Sequence, residues 1–480
     1  MGWETLRPHL KRCPRLRHVL LTPADGLPLT EVASDPGEGF SVRLLHSELS
    51  RQDHAALASR RVFGPEDPSS YFCTGGTTGL PKIAVRTHGA ETVNSGMLAL
   101  SLGDELADGS KSLCGLPLFH VNAVIVTGLA TWLSGGEVVL AGRGYRDPAV
   151  MANFWSIIAH YRINFFSAVP TILSTLLESP VTSDVSSLRF AICGAAPLPT
   201  ELFNRFENAT GLKVLEGYGL TESTCVASVN PVGGQRRVGS IGLRMPYQEM
   251  RSVMLDEGGQ YLRDCEIDEV GAIALSGPNV FRGYTDPDHE RGIWLDLGDG
   301  RRWMNTGDLG REDRDGYFWL TGRRKELIIR GGHNIDHRLI EEAMHRHPAV
   351  ALAAAVGRPH ARLGEVPVVY IEPRVGHSPT PEELARHAAR EISDRSAVPQ
   401  EVIVLPALPK TAVGKLAKTE LVNREVQKIV EGEAARLGLE AFEVSVSTTP
   451  QGVVATVRSS ERVDELVERL RAYSFQTTTA

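Results

Sequence analysis

The chain carries only six cysteines in 480 residues (Cys13, Cys73, Cys114, Cys193, Cys225 and Cys265), widely spaced and with no CxxC pair. That spacing argues against a disulfide framework and a thiolate zinc site and implies reduced, partly buried thiols. Long apolar runs are missing too, so no membrane span is expected. Residues 1–25 lack the charged-then-apolar layout of a secretion signal. The start Met1-Gly2-Trp3-Glu4-Thr5-Leu6 lacks the Ser or Thr of a myristoylation signal. A cytoplasmic protein is the expectation. Neither sign of charge dominates: 51 Lys and Arg against 58 Asp and Glu give a net charge of −7. The basic residues are scattered rather than banded, which argues against nucleic acid as a partner. Internal repeats and low-complexity tracts are absent as well.

What is present reads as an ordinary globular chain, 42% hydrophobic and 23% charged, long enough for two or three domains. From about residue 17 to 216, β-rich runs (17–21, 71–73, 137–141, 163–167, 188–193 and 213–216) alternate with helical ones. The pattern over 150–161 places Phe154, Ile157, Ile158 and Tyr161 on one face, and a second helix over 200–208 opens after Pro199. Such alternation predicts an α/β domain with a largely parallel sheet, whose strand ends are where ligands bind. From 237 to 320 short strands with Gly, Pro and Asp turns predict a β-rich subdomain, with strand, turn and strand over 269–284. After 322 a smaller α+β unit follows. It has strands at 327–330 and 366–371, a helix at 336–347 with Leu339, Ile340 and Met344 facing inward, and a helix at 380–391. Thr380 is placed to cap that last helix, with Pro381 at its first position. Residues 426–480 read as an α/β extension: a helix at 427–437, strands at 443–447 and 453–458, and a helix at 460–473.

The strongest local signal is "YFCTGGTTGLPKIAVRTHG" (71–89). A strand runs into Thr74, Gly75, Gly76, Thr77, Thr78 and Gly79, followed by Pro81 and Lys82. Glycines among hydroxyls let backbone N–H groups converge on an anion, and Lys82 adds positive charge. The spacing does not fit the GxxxxGK[ST] loop. A plain glycine-rich turn is the alternative, but threonine is a wasteful choice for one.

This segment resembles the phosphate loop of the adenylate-forming superfamily, which includes acyl-CoA synthetases, luciferases and peptide-synthetase adenylation domains. Six further matches follow in the family's order: "LPLFHVNAV" (116–124), "CGAAPLP" (193–199), "EGYGLTES" (216–223), "NTGDLG" (305–310), "GRRKELIIRGGHNID" (322–336) and "LPKTAVGKLAK" (408–418). Together they cover most of the chain. The resemblance implies a large domain over 1–322, a hinge at 323–325 with Lys325 as its pivot, and a smaller mobile α+β domain over 326–425. The activity it implies is acid–CoA ligation through an acyl-adenylate, with ATP, Mg²⁺, CoA and a small carboxylic acid as partners.

By the same resemblance, Thr74 to Gly79 and Lys82 hold phosphates. Gly194, Ala195, Ala196, Glu216, Gly217, Tyr218, Asp308 and Arg323 form the adenine and ribose site, with Tyr218 stacked on the base and Asp308 on the ribose hydroxyls. Glu222 holds the metal, Thr221 lies near the transferred phosphoryl, and Lys415 meets the charge that develops as carboxylate attacks phosphorus. His120, Val121 and Gly219 line the acyl pocket. Gly219 stands where acetate-specific relatives carry Trp, and no acid lies near His120 to pair an ammonium, so a medium-chain, alicyclic or aryl acid is favoured. Gly331, Gly332 and His333 would line the pantetheine tunnel after the small domain rotates.

Two departures set further expectations. Gly75 stands where many relatives have Ser, which removes one hydroxyl. The loop also begins only seventy residues from Met1, where relatives carry another βα region, so the expectation is an uncovered edge and an aggregation-prone or oligomeric chain. A carrier-protein ligase and an inactive truncated homologue therefore stay open. Luciferase-type oxidation is more remote. The extension is no fused carrier, since Ser445, Ser447, Ser459, Ser460 and Ser474 all lack a preceding Gly or Asp.

Overall fold

The computed structural model describes residues 3–10, 12–22, 39–52, 61–74, 82–323, 327–439, 442–449, 452–459 and 462–479. They fall into two units, Met1–Gly64 and Pro65–Ala480. In the first, the strands His18–Leu21 and Ser41–Leu44 pair in parallel, flanked by the helices Trp3–Leu10 and Leu45–Leu49.

The second unit is built on five parallel strands in the order Glu137–Leu140, Lys111–Cys114, Phe165–Ala168, Phe190–Cys193 and Lys213–Gly219. Strand alternation decides which side each ring serves. Phe165 stacks on Phe190, with ring centroids 5.2 Å apart, and joins Met97, Leu98 and Val126 on one face. Phe166 meets Phe154 at 5.0 Å and joins Ile158, Leu173 and Phe206 on the other. The helix expected over 150–161 is two, Pro148–Ala152 and Phe154–Tyr161. Its inward residues are Phe154, Trp155 and Ile158, while Tyr161 faces solvent.

The β-rich segment is not a separate sheet. Lys213–Gly219 pairs in parallel with Phe190–Cys193 through Glu216, and Gly217, Tyr218 and Gly219 then pair antiparallel with Val226–Val229. From there the same sheet continues through Gly242–Arg244, Tyr317–Arg323, Trp303–Glu312, Gly271–Ser276, Glu249–Leu255 and Tyr261–Asp264. Strand 71–73 departs from expectation as well: it is Pro68–Cys73, outside the parallel sheet, antiparallel to Ile83–Thr87, whose other side takes Gly283–Tyr284.

The C-terminal part has its own sheet: His333–Ile335, Ile328–Arg330, Gly364–Pro373 and Val350–His360, with Glu401–Val404 added in parallel to Gly364–Pro373. The helices His337–His345 and Pro381–Glu391 pack on one face around Ile340, Met344 and Leu384. Leu339 points to solvent, because residues three and four apart share a helix face and its neighbour Ile340 holds the inner one. Thr380 caps as expected, accepting a hydrogen bond from Glu383 N–H at 3.2 Å.

The following helix begins at Lys418 and runs to Arg436, earlier than the expected 427. The hairpin Phe442–Thr449 and Gly452–Ser459, the helix Val463–Leu470 and the strand Gln476–Thr479 pack on it through Val430, Ala434, Val457 and Leu466. Among the described residues no helix is long and apolar enough to cross a membrane.

Candidate active site

Several of the expected site residues, Gly194 to Ala196 and Glu216 to Gly219 among them, lie where parallel strands end and where the central strand changes partner. Phe190–Cys193 runs out into Gly194, Ala195 and Ala196. A Cβ on Gly194 would lie 2.9 Å from the Gly217 carbonyl oxygen, so glycine alone permits this approach of the two motifs. Ala195 sits at φ +71°, a left-handed conformation that costs an alanine energy and is held by the turn around it. Tyr218 donates its hydroxyl to Asp308 Oδ2 at 2.5 Å, which joins two motifs 90 positions apart. Asp308 is buried and lies across the ladder from Arg323. Glu216 sits differently from its neighbours. Its carboxyl is buried, accepts Leu198 N–H at 3.4 Å, and is pushed up to about 8 by burial. Its side chain lies in the interior of the fold.

A second group forms around Glu222, in the one-turn helix Thr221–Ser223. The Tyr284 hydroxyl donates to Glu222 Oε1, and Phe281 N–H donates to the Glu222 carbonyl at 2.8 Å. Burial and the Glu222 and Glu290 carboxylates push the phenol well above its usual range, so it stays a donor. Lys82 stands over the Tyr284 ring, 5.1 Å from its centroid, and Thr74 N–H donates to the Lys82 carbonyl at 2.8 Å. Gly75, Gly76, Thr77, Thr78 and Gly79 lie outside the described residues, as does Lys325.

Arg86 escaped the sequence analysis. It is fully buried, stacks 4.0 Å over Phe72, and pairs with Glu91 at 2.7 Å. It also donates to Ser70 Oγ at 2.9 Å and to the Thr224 carbonyl at 2.7 Å. Thr224, at φ +69°, closes the turn that carries Thr221 and Glu222. The available signal was an arginine inside the apolar strand Ile83–Thr87, since a buried cation needs built partners.

A third group brings the small domain in. Lys415 follows Gly414 in a turn closed by Thr411 N–H to the Lys415 carbonyl at 2.7 Å. Thr171 Oγ1 donates to the Gly414 carbonyl at 2.6 Å, anchoring that turn on the large domain. His120 is close enough to Lys415 to feel it: burial first and the ammonium second hold the imidazole down at about 4, so it is neutral. Its chain neighbour Val121 is buried. Nearby, the Thr200 N–H is capped by the small domain's Glu342 at 3.2 Å, and Arg374 pairs with Glu201 at 2.9 Å.

Gly219 is tight rather than open on its side-chain side, because a Cβ there would fall 1.6 Å from the Cys225 carbonyl oxygen. Gly331, Gly332 and His333 form the exposed tip of a hairpin on the small domain, with Gly331 N–H bonded to the Leu363 carbonyl at 2.8 Å.

Residues 5–285 match the AMP-binding enzyme family, and residues 339–415 match the AMP-binding enzyme C-terminal domain. A marinolic acid–CoA ligase of Pseudoalteromonas sp. is 44% identical over 391 residues, 80% of this chain and 59% of that protein. A sulfoacetate–CoA ligase of Cupriavidus necator is 36% identical over 361 residues, 75% of this chain and 67% of that one. Among solved structures, ATP-bound MatB from Rhodopseudomonas palustris has a TM-score of 0.71 at 26% identity, covering 81% of this chain and 75% of its own. The matched part thus spans 59% of the length of the first of these relatives. With both family regions matched in order and the motif residues converging at one end of the sheet, the chain belongs to the AMP-binding enzyme family.

Proposed function

We propose that the chain joins a carboxylic acid to CoA at the expense of ATP. The carboxylate oxygen attacks the α-phosphorus, pyrophosphate leaves, and the acyl-adenylate then loses AMP to attack by the CoA thiol. The observation that carries this reading is Lys415, held by the Thr171–Gly414 hydrogen bond beside His120 and within the large domain's site. Carboxylate and phosphate repel, and a cation delivered between them offsets the charge of the transition state. His120, neutral at working pH, gives the acid a polar wall without adding charge.

Tyr218 and Asp308 then hold adenosine, the ring by stacking and the ribose hydroxyls through the carboxylate, with Gly194 to Ala196, Gly217 and Arg323 around them. Thr74, the loop after it and Lys82 take the phosphates, and Thr221 lies by the reacting phosphoryl.

Among the described residues no group of three His, Cys, Asp or Glu could hold a metal ion. A single carboxylate, Glu222, fits Mg²⁺, which is commonly bound by one or two carboxylates and completed by substrate phosphates and water. When bound, the ion would neutralise phosphate charge. Rotation about Lys325 would bring Gly331, Gly332 and His333 to the thiol arm. The names of the relatives, acid–CoA ligases acting on marinolic acid and sulfoacetate, support CoA as acceptor. The segment Phe119-His120-Val121-Asn122 carries no acid, which favours a medium-chain, alicyclic or aryl substrate over an amino acid.

The test is pyrophosphate release from ATP across a panel of carboxylic acids, with and without CoA. Acid-dependent release, with acyl-CoA formed once CoA is added, is the expected result. Release that depends on no acid in the panel would overturn the reading.

A further inference from the structure

One side chain contacts two of the groups placed at the phosphates, Glu222 and Lys82, and has no role in the reading above. Tyr284 closes the two-residue strand Gly283–Tyr284 and lies across the ladder from Ala84. That pairing strand starts directly after Lys82, so its register carries the phenol to the end of the phosphate loop. The hydroxyl donates to Glu222 Oε1, and the ring lies under the Lys82 ammonium at 5.1 Å.

The ring is itself fixed. It meets Phe281 edge-on at 5.0 Å, and the Tyr284 backbone N–H donates to Glu290 Oε1 at 3.0 Å. Gly283, at φ +148°, makes room for that carboxylate: a Cβ there would lie 2.1 Å from Glu290 Oε1. Phe281 holds the Glu222 backbone while Tyr284 holds its side chain, so the short segment 281–284 fixes the acid at both ends.

A carboxylate with one oxygen committed to a strong, charge-assisted hydrogen bond has a defined orientation and offers the other oxygen to a ligand. An ammonium over a ring face is likewise held in place without losing its charge. We propose that Tyr284 is a positioning residue that orients Glu222 for the metal and seats Lys82 for the phosphates. This assignment rests on the adenylation reading above.

Calorimetric titration of the full chain with ATP, with and without Mg²⁺, tests it apart from turnover. Losing a group that orients a metal-binding side chain typically costs about 10–100-fold in affinity. Tyr284→Phe should therefore weaken binding of Mg–ATP by about that factor. It should leave metal-free ATP binding and the thermal midpoint nearly unchanged, because the ring and its contact with Lys82 remain. Added to Glu222→Gln, the same substitution should cost nothing further. Superimposable Mg–ATP titrations for wild type and Tyr284→Phe would overturn the assignment, as would equal loss with and without metal or fully additive losses with Glu222→Gln. A wild-type chain that binds no ATP under either condition would instead sink the adenylation reading itself.

Discussion

Asp308 is buried and already engaged by Tyr218, so its carboxylate is set before a nucleotide arrives. A ribose hydroxyl left without its acceptor costs about 1–3 kcal/mol. Asp308→Ala should then raise the apparent KM for ATP about ten- to hundredfold, and an unchanged ATP titration would show that this carboxylate does not serve the ribose. Gly219 calls for a different expectation from its pocket-lining role. Its missing Cβ is occupied by the Cys225 carbonyl, so Gly219→Trp cannot simply fill the acyl pocket. It should displace the Cys225 segment and depress activity on short and bulky acids alike. A mutant that keeps acetate or propionate turnover while losing bulky acids would restore the open-pocket view. The motifs that hold these residues were legible because each is short and its chemistry is local. Arg86 and the burial of Glu216 were not, because burial is decided by segments far away in the chain.

At the scale of elements, the turn carrying Lys415 depends on Gly414. That residue has φ +84°, and a Cβ would lie 3.2 Å from Val169 Cγ2. An L side chain forced into this region costs about 1–3 kcal/mol. Gly414→Ala should slow adenylation about tenfold or more, while thioester formation from supplied acyl-adenylate keeps its rate. Equal slowing of both would show that the turn serves more than the docked pose. Legibility varied with how clean each element's pattern was. The helix Pro381–Glu391 announced itself through Thr380 and Pro381, which act locally. The start of Lys418–Arg436 was hidden because its inner face includes Glu425, buried against Arg358 and Tyr370. The helix His88–Leu102 buries Asn94 and Ser95 among its apolar residues, so no apolar stripe marks it. Pro68–Cys73 was recognisable as a strand, but its partner was not, since pairing direction depends on the chain that returns to it.

For the molecule as a whole, Glu216 makes stability depend on pH. Its carboxyl titrates near 4.5 when unfolded and near 8 when folded, because burial favours the neutral acid. A raised folded value contributes stability that is complete below the unfolded value and lost as pH climbs through the folded one. The wild type should therefore lose stability between about pH 4.5 and 8 relative to Glu216→Gln, which has no such proton to release. Melting midpoints of the two proteins should diverge in favour of the mutant as pH rises; parallel curves would contradict this.

The docked position of the small domain has a consequence of another kind. Apart from the Thr171–Gly414 bond, its described polar ties to the large domain include the Arg374–Glu201 pair, whose carboxylate is partly open to solvent, and Glu342 at the Thr200 N–H. Mobile ions screen such charges over roughly 8 Å at physiological ionic strength and over less as salt is added. On the adenylation reading proposed above, the balance between the two half-reactions would then depend partly on the buffer. If that reading holds, sodium chloride should lower the rate at which acyl-adenylate accumulates while leaving its conversion to thioester untouched, so that rising salt favours acyl transfer over acid activation; equal salt dependence of both steps would contradict this.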